Sequence, residues 1–148
     1  MIAAIDPGLK GAIALLYGDS TLYVYDMPIL DKEVNGAAVY ALFTEFLPRH
    51  IYIEAQNSYL MGRTSAFNFG QQMGVLKGVM AAMKIPYTGV TPATWKKHYG
   101  LSRDKDASRS TAIRLFPDHA EEFQLKKHDG RAEAALIALW AIERGIMR

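Results

Sequence analysis

The first sixteen residues place an acidic side chain at the end of an apolar run, and this feature constrains the fold most. The apolar runs 2–5 and 12–16 flank a polar turn that contains Asp6, Pro7 and Gly8. Because proline and glycine interrupt the first run, the pattern predicts an antiparallel hairpin with a short turn. A carboxylate directly after a buried strand must be paired, hydrogen-bonded or bound to a cation. Asp6 is therefore predicted to bind a metal ion.

Strand-like and helical patterns follow this hairpin along the chain. Short β-branched and aromatic runs predict strands, and apolar positions at helical spacing predict helices. The predicted strands cover residues 21–25, 50–55 and 85–90, and the predicted helices cover residues 35–47, 65–83, 92–99, 106–116 and 129–144. We therefore expect an α/β fold, organised as a single domain over residues 1–148.

Composition excludes several classes of protein. Half of the 148 residues are apolar and 22% are charged, as in globular rather than disordered chains. No apolar run reaches the roughly 18 residues of a membrane span, and the absence of cysteine excludes disulfides and thiolate chemistry. The N-terminus lacks a basic segment before an apolar run, so a secretory signal is not expected. These features predict a cytoplasmic protein without a membrane partner.

Charge is distributed unevenly, although the net charge is only +2. Residues 1–62 carry three basic and seven acidic side chains, whereas residues 55–103 carry six basic side chains and no acidic one. Such a chain can place a carboxylate site beside a surface that binds a polyanion. Ordinary solvated surface charge is the alternative interpretation.

Three more acidic side chains share the setting of Asp6, beside apolar secondary structure. Glu54 ends the predicted strand 50–55, and α/β sheets collect their sites at the carboxyl ends of strands. Asp129 and Glu133 are four residues apart at the start of the last predicted helix, hence on one face and about 6 Å apart. Asp129 could instead be a helix N-cap. Glu133, however, lies in an otherwise apolar run, where an unpaired buried carboxylate would be costly.

A set of four carboxylates suits hard divalent ions. Mg²⁺ and Mn²⁺ bind through carboxylate oxygens and keep several waters, which leaves room for phosphate oxygens. Two such ions about 4 Å apart can activate a water and stabilise the leaving 3′ oxygen of a phosphodiester. The four histidines do not have the spacing of a zinc site. His128 is expected to be exposed to solvent, although beside Asp129 it could also ligate or orient.

Three short motifs follow one another along the chain: residues 5–8 (Ile-Asp-Pro-Gly), 53–56 (Ile-Glu-Ala-Gln) and 128–134 (His-Asp-Gly-Arg-Ala-Glu-Ala). In order and spacing they resemble the acidic motifs of RuvC-type Holliday junction resolvases. The resemblance covers nearly the whole chain. It implies a ribonuclease H-like fold, in which a mixed five-stranded sheet is flanked by helices on both faces. It also implies a homodimer whose two active sites nick a four-way DNA junction symmetrically.

The resemblance implies roles for the four acidic residues. Asp6, Glu54, Asp129 and Glu133 match the catalytic, metal-binding acids of the family, which implies two Mg²⁺ or Mn²⁺ ions per active site. His128 lies near a position where relatives carry a histidine close to the metals, so it is a candidate catalytic assistant. Many bacterial members end in two aspartates three residues apart, whereas the Asp-x3-Glu pair here is more like organellar and some phage members. This departure leaves open whether the last two acids share a metal equally.

The resemblance also implies which residues contact DNA. The residues that match junction-backbone contacts of relatives are Lys96, Lys97, Arg103, Lys105 and Arg109. Loop 57–65 lies where relatives place residues that enter the junction centre, and its candidates are Tyr59, Leu60, Met61 and Arg63. Burial of this loop against a partner subunit is the alternative.

A stripe of glycines marks the helix predicted over residues 65–83. Gly70, Gly74 and Gly78, the glycine stripe, recur every four residues. Each costs about 1 kcal/mol relative to alanine in a helix interior. Close backbone approach would offset this cost, either against the protein's own sheet or against a second copy of the helix. The second arrangement predicts a dimer with a two-fold axis that matches the junction's symmetry.

These features predict a nucleoid-associated, structure-selective DNA endonuclease, a crossover junction endodeoxyribonuclease that uses two metal ions. The alternatives are a broader branched-DNA nuclease of phage type and a catalytically silent DNA-structure binder. Sequence alone leaves open the cleavage-site preference, the choice between Mg²⁺ and Mn²⁺, and whether a branch-migration motor is a partner.

Overall fold

The computed structural model describes residues 1–101 and 105–145, except for the side chain of Lys105. The strands are β1 (Ile2–Asp6), β2 (Ala12–Tyr17), β3 (Thr21–Asp26), β4 (Ile29–Leu30), β5 (Glu33–Val34), β6 (Ile51–Glu54) and β7 (Tyr87–Val90). The helices are α1 (Gly36–Phe46), α2 (Arg63–Ala82), α3 (Pro92–His98), α4 (Lys105–Leu115) and α5 (Asp129–Glu143). Short 3-10 segments cover Ser58–Leu60, Pro117–Phe123 and Lys126–His128. The predicted order of strands and helices is confirmed, and the short β4–β5 pair was not predicted.

The main sheet contains five strands in the order β3-β2-β1-β6-β7. The pairs β1–β2 and β2–β3 are antiparallel, whereas β1–β6 and β6–β7 are parallel. The expected mixed five-stranded sheet is therefore confirmed. In the parallel pair, Ile5 lies opposite Ile53. Since Asp6 and Glu54 follow these two residues, both acidic side chains lie at the same edge of the sheet.

Helices cover both faces of this sheet, as expected. On one face, α3, α4 and α5 pack over a core that includes Ala4, Ala14 and Tyr52. On the other face, α1 and α2 pack over a core that includes Ile5 and Ile13. Successive side chains of a strand point to opposite faces. Every residue of β1 is therefore buried, which explains its uninterrupted apolar run.

Helix α2 contacts the rest of the chain along one narrow stripe. Its buried residues Gln72, Leu76 and Met80 recur every four residues. Gly74 follows Gln72 by two positions, which is about 200° around a helix, so the glycine stripe faces away from the sheet. A Cβ atom added at any of the three glycines would meet nothing within 4 Å. The alternative in which the stripe packs against the protein's own sheet is therefore wrong.

Candidate metal centre

Three carboxylates from three different elements meet at one edge of the sheet. Asp6 ends β1, Glu54 ends β6, and Glu133 lies in the second turn of α5. One oxygen from each side chain lies within 4.8 Å of the others. Asp6 and Glu54 are 9% and 1% exposed, and Glu133 is half-buried. We call these three residues the carboxylate cluster.

Gly11 and Gly130 permit close backbone contacts at the turn that carries Asp6, Gly11 within the turn itself and Gly130 between the turn and α5. A Cβ atom on Gly11 would lie 1.9 Å from the backbone oxygen of Asp6. A Cβ atom on Gly130 would lie 2.7 Å from the backbone oxygen of Lys10. Both distances are shorter than van der Waals contact, so a larger residue at either position would displace backbone. Sequence reasoning missed this role, because it depends on contact between the β1–β2 turn and a helix more than a hundred residues away.

Two hydrogen-bond donors hold the buried carboxylate of Glu54. Nε1 of Trp95 donates to Oε1 at 3.0 Å, and Nε2 of Gln56 donates to Oε2 at 2.9 Å. Outer partners of this kind orient metal-binding carboxylates. Sequence reasoning also missed the role of Trp95, since 41 residues separate it from Glu54. A Trp in a short, otherwise polar helix was the only local signal.

Lys96 lies at the border between the carboxylate cluster and solvent. Its Nζ atom lies 3.4 Å from Oε1 of Glu133, and its side chain is 29% exposed. The same Nζ atom lies 5.2 Å from the centroid of the Trp95 ring. A cation here offsets part of the repulsion among crowded carboxylates. The sequence predicted a DNA contact for Lys96 but not this ion pair.

Asp129 lies outside the carboxylate cluster. It is the first residue of α5, and His128 takes the N-cap position without a side-chain hydrogen bond. The N-cap interpretation of Asp129 is therefore wrong. Its Oδ1 atom lies 3.2 Å from Nε of Arg109. Neither atom is accessible to solvent or has a hydrogen-bond partner of good geometry, so the contact is an ion pair.

His128 is buried, and the expectation that it is exposed is wrong. The residue is 6% exposed, and its Nδ1 atom accepts a hydrogen bond from the backbone N–H of Leu125 at 3.3 Å. Burial lowers the pKa of His128, and the guanidinium of Arg131 acts in the same direction. The imidazole is therefore neutral at pH 7. Its hydrogen-bond partner Leu125 lies in the segment just before α5, and Arg131 in the first turn of α5 and Asp26 at the end of β3 are among the charges near it.

The predicted junction-centre residues lie on an exposed turn. Tyr59 and Leu60 are 92% and 96% exposed, and they belong to the 3-10 segment Ser58–Leu60. Met61 is partly buried, and Arg63 is exposed at the start of α2. This turn begins four residues after Glu54. It therefore lies close in sequence to the carboxylate cluster, and its apolar tip has no cover within the described chain.

The predicted backbone-contacting residues differ in their surroundings. Lys97 is exposed near the end of α3. The guanidinium of Arg109 instead contacts Asp106, the backbone oxygen of Gln124 and Asp129, and its side chain is 16% exposed. Arg103 lies outside the described residues, as does the side chain of Lys105.

The donor set of the carboxylate cluster fits a hard divalent ion. All three ligand atoms are carboxylate oxygens, which Mg²⁺ and Mn²⁺ prefer. Two of the three side chains are buried, and an uncompensated group of buried anions is costly. Strand ends and a packed helix hold them, so the oxygens can be rigidly placed before an ion binds.

Comparison with known proteins shows what the chain resembles in sequence. No model of a known protein family matches the chain. The chain is 39% identical over 145 residues to the Holliday junction resolvase MOC1, chloroplastic, of Chlamydomonas reinhardtii. The match covers 96% of this chain but 13% of that relative, so the chain spans about an eighth of its length.

Solved structures share the whole architecture. The structure of T. thermophilus RuvC in complex with a Holliday junction substrate matches with a TM-score of 0.73 at 17% identity, and the match covers 99% of this chain and 96% of that one. The fold is that of the RuvC-type resolvases. The yeast mitochondrial Holliday junction resolvase Ydc2 shares this RuvC-type fold, with a TM-score of 0.57 at 18% identity over 99% of this chain and 81% of that one. The resemblance inferred from the three motifs and the expected ribonuclease H-like fold are thereby confirmed.

Two findings concern where the protein is located in the cell. The name of the curated relative refers to the chloroplast. Across residues 1–101 and 105–145, none of the helices is both long enough and apolar enough to cross a bilayer. A cytoplasmic, nucleoid-associated location stays a prediction.

Proposed function

We propose that this RuvC-type chain is a metal-dependent endonuclease that resolves four-way DNA junctions by paired, symmetrical nicks. The carboxylate cluster carries the proposal, because Asp6, Glu54 and Glu133 come from separate elements and still meet within 4.8 Å. A relative named as a Holliday junction resolvase and a RuvC structure bound to a Holliday junction support the same substrate. The active nuclease also needs DNA-binding residues and a second subunit.

The carboxylate cluster would hold the divalent ions, with Asp129 as a fourth ligand at its margin. Two bound Mg²⁺ or Mn²⁺ ions would supply an activated water and stabilise the leaving 3′ oxygen. Trp95 and Gln56 keep the Glu54 carboxylate oriented, so little reorganisation is needed when an ion binds. Lys96 is close enough to Glu133 to balance its charge and exposed enough to meet a phosphate.

Basic and apolar side chains outside the cluster would bind the junction. Lys96, Lys97, Arg103 and Lys105 would contact the DNA backbone, and such contacts weaken steeply as salt is added. The exposed Tyr59 and Leu60 would open or stack on base pairs near the crossover. The tip they form is 92–96% exposed, which suits insertion into DNA.

The second subunit would bind along α2. The glycine stripe lies on the same side of the helix as Phe67, which is 72% exposed; together we call Phe67 and the stripe the glycine face. Each stripe position is open in the single chain, so a second helix could approach closely there. Two copies joined in this way would have two-fold symmetry, as a four-way junction does.

Substitution of cluster carboxylates tests the proposal directly. Asp6→Asn and Glu133→Gln should keep junction binding but abolish cleavage in Mg²⁺ or Mn²⁺. The loss should exceed the roughly 10–100-fold effect typical of outer-shell partners, because a ligand itself is changed. Glu121→Gln, at an exposed position of the 3-10 segment Pro117–Phe123, is the matched control and should cut normally. Cleavage by both cluster variants at the wild-type rate would show that the assignment is wrong.

Substrate comparison separates resolution from broader nuclease activity. Four-way junctions, three-way junctions, flaps and linear duplex are supplied at equal concentration, and the nicks are mapped. Paired symmetrical nicks on the four-way junction support a resolvase. Equal cutting of all branched substrates would indicate the broader nuclease, and binding without any cutting would indicate a DNA-structure binder.

A further inference from the structure

We propose that Arg109 is a positioning residue for Asp129 and that their ion pair prepares Asp129 to act as the fourth ligand of the metal site. The inference rests on the proposed function, since it counts Asp129 among the metal ligands. It gives Arg109 a role that differs from the DNA-backbone contact expected from the sequence. Three observations about the guanidinium, the carboxylate and their surroundings support it.

The guanidinium of Arg109 is held by groups other than Asp129. One terminal nitrogen pairs with the Asp106 carboxylate, and the other donates to the backbone oxygen of Gln124 at 2.9 Å. The same guanidinium lies against Asp129, with Nε 3.2 Å from Oδ1. The guanidinium is thus fixed before any metal binds, and its side chain is only 16% exposed.

The carboxylate of Asp129 has one oxygen committed to this cation. Oδ1 is inaccessible to solvent and has no hydrogen-bond partner of good geometry. A buried carboxylate oxygen needs a compensating charge, and Arg109 supplies it. The Asp129 side chain as a whole is 24% exposed. Because Oδ1 is inaccessible, this exposed surface belongs to other atoms of the side chain. The second oxygen is the one left for a metal ion.

The three contacts also connect the segments that precede α5. Arg109 lies on α4, Gln124 follows the 3-10 segment Pro117–Phe123, and Asp129 begins α5. The guanidinium therefore sets where the first residue of α5 stands relative to the carboxylate cluster. Outer groups that orient a metal-binding carboxylate typically contribute 10–100-fold to metal affinity.

Isothermal titration calorimetry of Mn²⁺ into the full chain without DNA tests this role. Arg109→Gln should bind Mn²⁺ about 10–100-fold more weakly than the wild type. Asp129→Asn should also weaken binding, and adding Arg109→Gln to it should cause little further loss, because the first change already removes the group through which Arg109 acts. Arg109→Lys keeps the charge without the planar fork and should fall between wild type and Arg109→Gln. Arg114→Gln, an exposed arginine on the same helix, is the matched control.

Thermal unfolding of each variant separates positioning from a general loss of structure. If the role of Arg109 is purely structural, Arg109→Gln will lower the melting temperature. It will also weaken Mn²⁺ binding equally in the wild type and in Asp129→Asn, and that result would overturn the inference. Unchanged or tighter Mn²⁺ binding by Arg109→Gln would overturn it as well, since Arg109 would then be neutral or a competitor of the metal. Absence of Mn²⁺ binding by the wild type would instead refute the metal site of the proposed function.

Discussion

Helices α5 and α2 differ sharply in how much of their surface the chain covers. Ten of the fifteen residues of α5 are buried, whereas only three of the twenty residues of α2 are. Helix α5 brings Glu133 to the carboxylate cluster, and α2 brings no residue to it. Packing on nearly all sides holds a ligand within the tight tolerance that a metal site requires. A helix packed along one stripe is free to present the rest of its surface to another molecule.

The glycines of the two helices show the same contrast. Gly130 of α5 is required because the backbone of the β1–β2 turn lies against it. The glycine stripe of α2 meets nothing within the chain, yet each glycine costs about 1 kcal/mol of helix propensity. A contact outside the chain would offset that cost. The comparison therefore supports the proposed roles of α5 as the scaffold of the metal site and of α2 as the assembly surface.

The largest expected effect comes from placing a bulky side chain in the glycine stripe. Gly74→Leu should abolish dimers, because a leucine side chain would hold the two helices apart. Light scattering should give the mass of one chain for this variant and of two chains for the wild type. Paired nicking of a junction should be lost with it.

A leucine elsewhere on α2 is the control for this experiment. Asn68 is also exposed but lies about 120° around the helix from Gly74, so Asn68→Leu should remain dimeric. A dimeric Gly74→Leu variant with full activity would mean that α2 is not the assembly surface, and the contrast between the helices would lose its functional meaning.

Alanine substitutions at Gly130 and at Gly74 should have smaller effects. They should change the free energy of unfolding in opposite directions. Gly130→Ala should lower the free energy of unfolding by about 1–3 kcal/mol, since overpacking against backbone costs this much. It should also weaken Mn²⁺ binding, because the start of α5 must shift. Gly74→Ala should raise the free energy of unfolding by up to about 1 kcal/mol. Urea unfolding, at a protein concentration where the chain is monomeric, measures both changes in the free energy of unfolding. Changes of the same sign in the two variants would contradict the contrast between Gly130 and the glycine stripe.

The smallest effect concerns the ion pair between Arg131, near the start of α5, and the exposed Asp26 at the end of β3. Arg131 donates to both carboxylate oxygens of Asp26, at 2.7 and 3.0 Å, and this lowers the pKa of Asp26 below its ordinary value of 3.8. A lowered carboxyl pKa stabilises the fold above the unfolded-state pKa, and the contribution is lost as the pH falls through the folded-state pKa. Because the Asp26 side chain is 64% exposed, solvent screening keeps the contribution below about 1 kcal/mol.

Asp26→Asn tests that estimate. At neutral pH it should lower the free energy of unfolding by less than about 1 kcal/mol, and the difference from wild type should vanish well below pH 3.8. Asp19→Asn, in the exposed turn before β3, should leave stability unchanged. A loss of several kcal/mol would mean that this ion pair, and not the packing of α5, holds the helix.

The elements whose apolar pattern reflects burial were predictable from the sequence. The hairpin of β1 and β2 and the helix α5 were expected within a residue or two of their observed bounds. Glu54 was recognisable because a carboxylate that ends a buried strand needs a partner. Helix α4 was also expected within one residue of its observed bounds, whereas the 3-10 segments were not predicted, since polar, irregular residues carry no periodic signal.

The contacts around the site were not predictable, because they join residues that are distant in sequence. Trp95 contacts Glu54, and Lys96 contacts Glu133, only after the sheet has formed. The burial of His128 was missed for a similar reason, since the segment before α5 looks polar in isolation. Asp129 matches a family motif, yet its first partner in the structure is Arg109.

The short connection between Glu54 and α2 bears on the distance between the two nicks that a dimer would make. Eight residues, including the exposed Tyr59 and Leu60, connect Glu54 to Arg63 at the start of α2. The proposed metal site, junction tip and assembly surface thus follow one another on a single stretch of chain. In a dimer joined along α2, that helix would act as a molecular ruler between the two scissile phosphates. Substitutions on its open face that keep the dimer together would shift the spacing of the nicks while leaving the chemistry of each nick unchanged.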